Sequence, residues 1–121
     1  MASVSSDKCP LMAASKLLSR KWGLVIIYYL LEGEKTFSEL EKKINGISSK
    51  TLSETLEDLV EMGLAERIVE PGPPVRVRYR LTEMGRDLER VIVYMAEWAC
   101  KWLLKEDECP RPKIREGSAQ S

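Results

Sequence analysis

Between Phe37 and Leu81 the apolar residues change period in a way that few small folds can satisfy. Phe37, Leu40 and Ile44 repeat at helical spacing, and Asn45-Gly46 then marks a turn. Leu52, Leu56, Leu59 and Val60 recur at i, i+4, i+7 and i+8, which predicts a second helix with those four on its core face. Ser48 stands where an N-cap belongs, because its hydroxyl oxygen can accept an orphan backbone N–H, and Gly63 ends the helix. Beyond Gly63 the spacing becomes alternation. Ala65 to Glu70 and Val75 to Leu81 read as the arms of a hairpin, joined by the stiff tip Pro71-Gly72-Pro73-Pro74. The second arm sends Val75, Val77, Tyr79 and Leu81 toward a core, and Arg76, Arg78 and Arg80 toward solvent or a partner.

The flanking segments are helical. Cys9-Pro10 opens a first helix, since proline is favoured at the first helical position and places Cys9 near the N-cap. Leu11, Met12, Leu17 and Leu18 give it an apolar stripe. The stretch from Trp22 to Glu32 is apolar almost all round, the pattern of a buried central helix, and Gly33 stops it. A short helix over Ser38 to Ile44 follows. Thr82 is expected to cap one long last helix reaching about Lys105. That helix carries Leu88, Val91, Ile92, Met95, Trp98, Ala99, Trp102 and Leu103, more apolar surface than one small domain covers. A two-fold homodimer through Leu11, Met12, Met95, Trp98 and Trp102 is the expected solution.

A chain of 121 residues with 44% apolar content is sized for one domain with a core. Residues 9–105 are expected to form it, between a flexible N-terminus at 1–8 and a flexible tail at 106–121. The longest apolar run, Leu24 to Leu31, is too short to span a bilayer, so a cytoplasmic protein is the simplest expectation. The 19 basic and 19 acidic residues leave no net charge. Basic residues dominate the hairpin, whereas acidic ones dominate the preceding helix pair. There is no histidine, no glycine-rich phosphate loop and no paired nucleophile and base, which argues against an enzyme. No cofactor is called for, and three irregularly spaced cysteines make a poor metal site.

Helix, turn, helix and basic hairpin is the order of a winged helix-turn-helix: a mainly α domain with a small β-hairpin, here pairing through its N- and C-terminal helices. Read as a double-stranded DNA binder, it places Ser48, Ser49, Lys50, Thr51, Ser53 and Glu54 at the leading end of the recognition helix, where base edges are reached. Arg76 and Arg78 lie nearest the hairpin tip and would grip phosphates or the minor groove, and Arg80 is free to pair with an acidic neighbour instead. The bland alternatives remain open. Ser48 can cap and nothing more, and alternating arginines are equally expected of a solvated strand. The neutral charge and the carboxylates Glu54, Glu57, Asp58 and Glu61 also suit a winged helix used for protein contact without specific DNA binding.

The ordered motifs resemble the HxlR-type winged-helix regulators, relatives of the MarR group. The residues that carry the resemblance are Cys9-Pro10, Lys21-Trp22, Leu31-Glu32-Gly33, Phe37-Ser38-Glu39-Leu40, and Gly46-Ile47-Ser48 with Lys50 and Leu52-Ser53. It continues through Leu56 to Leu59, Gly63-Leu64, Pro73-Pro74-Val75, Tyr79, Leu81-Thr82-Glu83, Gly85 and Trp98. The resemblance implies a dimeric transcription factor, and a two-fold dimer in turn is expected on a roughly palindromic operator. It also implies that Cys9 matches a cysteine through which some members sense electrophiles or oxidants. One departure stands out: where the family places a basic residue beside the middle of the recognition helix, this chain has Glu54 and Thr55. A carboxylate there repels phosphate, yet can accept a hydrogen bond from cytosine N4.

The cysteines admit two readings. A thiol at a helix N-terminus beside Lys8 is favoured as the thiolate that oxidants attack, so Cys9 can be a sensor, with Cys109 in the tail as its resolving partner across a dimer. Otherwise Cys9 is a small side chain packed at a dimer seam. Cys100, inside the apolar stripe, is expected in the core. An oxidant or a small molecule is the effector class implied.

Overall fold

The computed structural model describes residues 9–109. The expected N-terminus at 1–8, and residues 110–121 of the expected tail at 106–121, lie outside the described residues. Helix α1 spans Pro10–Leu18, α2 Lys21–Leu30, α3 Phe37–Lys43 and α4 Ser49–Glu61. Strands β1 (Lys35–Thr36), β2 (Ala65–Glu70) and β3 (Arg76–Leu81) form an antiparallel sheet in the order β1-β3-β2. A short α5 (Glu83–Arg86) and a long α6 (Glu89–Trp102) follow.

The core is built where the helical periods meet. Ile26 and Ile27 from α2, Leu40 from α3, and Leu52, Leu56 and Leu59 from α4 are buried together, with Leu64, Ala65, Leu81 and Ile92 around them. Burying a leucine or isoleucine contributes about 1.5–3 kcal/mol, against roughly 1 kcal/mol for an N-cap. Packing therefore fixes the helices, and the caps set their ends. At α3 a full capping box forms: the Glu39 N–H donates to Thr36 Oγ1 at 3.1 Å and the Thr36 N–H donates to Glu39 Oε1 at 2.8 Å. At the end of α4, Gly63 takes φ +84°, which lets the Leu64 N–H reach the Leu59 carbonyl at 2.9 Å while both leucines stay buried.

Several expectations need correcting. The hairpin has a third strand: Lys35 and Thr36 pair with Tyr79 and Arg78, so β3 is central. The last helix is two helices. Thr82 caps only α5, its Oγ1 accepting the Gly85 N–H at 3.2 Å, and the chain bends at Asp87-Leu88 before α6, which ends at Trp102 rather than Lys105. The bend lets buried Gly85 approach the Leu64 carbonyl. The core face of β3 is shorter than its alternation implies: Leu81 is buried, Tyr79 and Val77 are half-buried, and Val75 precedes the strand, 61% exposed. Val60 is exposed at the rim instead of lining the core. The segment 106–108 of the expected tail forms a 3₁₀ turn.

Candidate nucleic-acid interface

Helices α3 and α4 flank the turn at Asn45-Gly46, where Gly46 has φ +86°, a backbone state that suits glycine. Ser48 caps α4 as expected. Its Oγ accepts the Thr51 N–H at 3.1 Å and donates to Thr51 Oγ1 at 3.0 Å, so both side chains are used locally. The Ser49 hydroxyl donates to Glu41 of α3, linking the two helices across the turn. Lys50, Ser53 and Glu54 are exposed, and no hydrogen bond or ion pair holds their side chains among the described residues. Of the expected recognition residues, these three are the ones left to meet a partner.

Beyond Glu54 the helix turns acidic. Glu57, Asp58 and Glu61 line an open cleft of about 560 Å³ between α4 and the sheet, with Ser53, Val60, Arg67 and Tyr79. Asp58 accepts a hydrogen bond from Arg20 Nη1 at 2.7 Å, and the other two carboxylates stay exposed. Their charge disfavours a phosphate, so the first turns of α4 are the part suited to a DNA groove.

The wing is basic but heavily counter-charged. Arg80 Nε lies 3.1 Å from Glu66 Oε2, the acidic neighbour its position allowed. Arg78 sits between two carboxylates: its Nη2 donates to Glu70, and its Nε lies 3.1 Å from Glu34 Oε1, without hydrogen-bond alignment. Arg76 faces Glu70 in the strand register, yet Glu70 is turned to Arg78, and no ion pair holds Arg76 among the described residues. Glu34 and β1, which bring this about, were missed in the sequence because a two-residue strand carries no period.

Along α1 and α6 the apolar surface stays uncovered. Leu11 is 75% exposed, Trp98 57% and Trp102 65%, with Met12 and Met95 beside them in exposure. Cys9 is an exposed free thiol at the N-cap of α1. Two cysteine expectations are corrected. Cys109 is bonded to Cys100 of its own chain, Cα atoms 5.4 Å apart, instead of standing ready for Cys9. Cys100 is half-buried at the end of α6 and not a core residue. The 3₁₀ turn after α6 brings the pair together.

A helix-turn-helix with an exposed first turn on α4 and a three-stranded wing beside it defines a winged helix-turn-helix transcriptional regulator, a DNA-binding protein and not an enzyme. The chain belongs to the HxlR-like helix-turn-helix family, whose model matches residues 17–107. It is 36% identical over 99 residues to the uncharacterized HTH-type transcriptional regulator YvaP of Bacillus subtilis, covering 81% of this chain and 92% of that one. The reduced form of the B. subtilis transcriptional regulator YodB matches with a TM-score of 0.68 and 41% identity, over 78% of this chain and 94% of YodB. The redox regulator HypR in its oxidized form matches with a TM-score of 0.73 and 31% identity, over 77% and 96%. No helix among the described residues is long and apolar enough to cross a membrane.

Proposed function

We propose that this regulator binds a roughly palindromic operator as a homodimer in the cytoplasm, and that oxidation at Cys9 changes its DNA affinity. The observation that carries the DNA reading is the leading end of α4, where Lys50, Ser53 and Glu54 are exposed and unengaged, beside a wing that keeps Arg76 unpaired among the described residues. Lys50 supplies phosphate or guanine contact, Ser53 reads either base type, and Glu54 accepts from cytosine N4. Ser48, Ser49 and Thr51 shape the turn that presents them, with the Thr51 N–H held by Ser48 Oγ, and the positive end of the helix dipole there favours a phosphate. Pairing through Leu11, Met12, Met95, Trp98 and Trp102 gives two copies of α4, set to enter successive major grooves about 34 Å apart.

The redox arm rests on the exposed Cys9 thiol and on the kinship with a protein described as a redox regulator. Hydrogen peroxide converts a thiolate to sulfenic acid: an S–O bond forms as the O–O bond breaks, and the other oxygen leaves as hydroxide, which takes up a proton from solvent. Selection from random duplex DNA with reduced and peroxide-treated protein tests both arms. The expected result is one enriched site with two inverted halves, bound differently by the two forms. Enrichment of nothing removes the DNA reading. Identical enrichment and affinity before and after peroxide removes the switch.

A further inference from the structure

We infer that Glu34 and Glu70 compete with DNA phosphates for Arg78, and so set how tightly the wing holds DNA of any sequence. The inference rests on the DNA-binding reading given above. The geometry is a diagonal clamp on one face of the sheet. Arg78 pairs in register with Thr36 on one side and Ile68 on the other. Glu34 lies two residues before Thr36, and Glu70 two residues after Ile68, so each carboxylate is a diagonal neighbour of Arg78 on the central strand. Glu70 bonds Nη2, and Glu34 lies 3.1 Å from Nε. All three side chains are partly open to solvent, at 36% for Arg78, 38% for Glu34 and 47% for Glu70, so a partner can reach the cluster although Arg78 Nε itself is buried.

One guanidinium between two carboxylates already has more negative charge than it neutralises. A phosphate approaching Arg78 is a third anion. While the carboxylates stay in place they repel it and occupy part of the guanidinium, so its binding strengthens as one of them withdraws. The cost falls on every sequence alike, because phosphate contacts position a protein without reading bases. It lowers binding to bulk DNA and leaves discrimination to Lys50, Ser53 and Glu54. Arg80 has one counter-charge, Glu66, and Arg76 has none engaged among the described residues, so the restraint is strongest at the centre of the wing.

The test uses the full-length reduced protein and a fluorescently labelled duplex of mixed sequence, titrated by anisotropy at several NaCl concentrations. Glu34→Gln and Glu70→Gln should each tighten binding about three- to tenfold at low salt and steepen the salt slope by about one unit. Glu34→Gln decides the matter, since Glu70 also opposes Arg76 in register. In an Arg78→Ala background its gain should fall below about twofold, because the competition needs the arginine. An equal gain with and without Arg78 means the carboxylate acts only through its field and overturns the inference. So does weaker or unchanged binding by Glu34→Gln. Wild-type binding that Lys50→Ala weakens, with Glu34→Gln inert, sinks this inference alone. No wild-type binding at any salt sinks the DNA reading as well.

Discussion

Arg20 Nη1 lies 2.7 Å from Asp58 Oδ2, joining the residue that caps α2 to the acidic half of the recognition helix α4. The pair connects α4 to the α1–α2 junction, and so to the apolar flank. Both side chains are nearly half exposed, at 46% and 43%, so solvent screens the attraction. Asp58→Ala should therefore cost only about 0.2–1 kcal/mol in urea unfolding. A loss well above that range means the pair has a buried role that its exposure does not suggest.

Gly85 is a far more sensitive position. A Cβ there would press into the Leu64 carbonyl oxygen and meet Leu81 Cδ2 at 3.0 Å. The oxygen cannot swing away, because it accepts the Thr82 N–H at 3.0 Å. Gly85→Ala should destabilise by about 2–4 kcal/mol despite alanine's better helix propensity, since backbone overlap outweighs the roughly 1 kcal/mol that alanine offers. Thermal unfolding checks it, and an unchanged melting temperature would show that α5 is free to move off the α4–β2 junction.

How much of this was legible in the sequence differs from element to element. The periods of α3, α4 and β3 were readable because each buries one face, and burial writes a period into the residues; α2 was readable because it is apolar almost all round. β1 was not, because two residues hold no period and Lys35 and Thr36 earn their place by pairing with Tyr79 and Arg78. The break at Asp87-Leu88 was hidden too: the apolar spacing runs on through it, and the close approach of Gly85 to Leu64 that accompanies it leaves no period in the residues. For the site, Ser48 to Glu54 and the arginines could be named, but not which were free. Ser49 is taken by Glu41, and Arg78 by Glu34 and Glu70, through contacts that only the fold creates.

The capping box of α3 makes part of the stability depend on pH. The Thr36 N–H holds the Glu39 carboxyl below its ordinary range, and the Thr36 side chain, Lys35 and Lys43 add to this. A carboxyl depressed in the folded state stabilises the fold above its unfolded value, about pH 4.3, and loses that contribution as pH falls through the lower folded value. Glu39→Gln should thus lower stability at neutral pH but flatten its fall across that acidic window. Chemical unfolding of both proteins from neutral to strongly acidic pH compares the curves. Parallel curves would show that the cap bond carries no pH dependence.

Arg76 and Arg80 should separate in their effect on DNA. Arg76 has no ion pair among the described residues, whereas Arg80 is held by Glu66 at 3.1 Å. Arg76→Ala should weaken binding to all duplexes about equally and reduce the salt slope by about one unit. Arg80→Ala should change it less, since removing the arginine and exposing Glu66 alters a charge already committed. Anisotropy titrations at several salt concentrations measure both slopes. Equal slopes for the wild type and Arg76→Ala would take the wing tip out of the interface.

The dimer prediction turns on where an apolar side chain can be charged without harming the fold. Trp98 is 57% exposed on α6, and Leu11 and Met12 on α1 are likewise open, so none of them contributes much to the core of a single copy. If that surface is buried between two copies, Trp98→Glu places a carboxylate in a dry seam, where an unpaired charge is costly. The variant should stay folded, with its circular dichroism unchanged, yet sediment at monomer mass where the wild type sediments as a dimer. Its binding to the palindromic site should drop toward its binding to a single half-site, because two copies of α4 no longer arrive together. A variant that stays dimeric places the seam elsewhere, and a wild type that is monomeric at every concentration removes the two-fold model altogether.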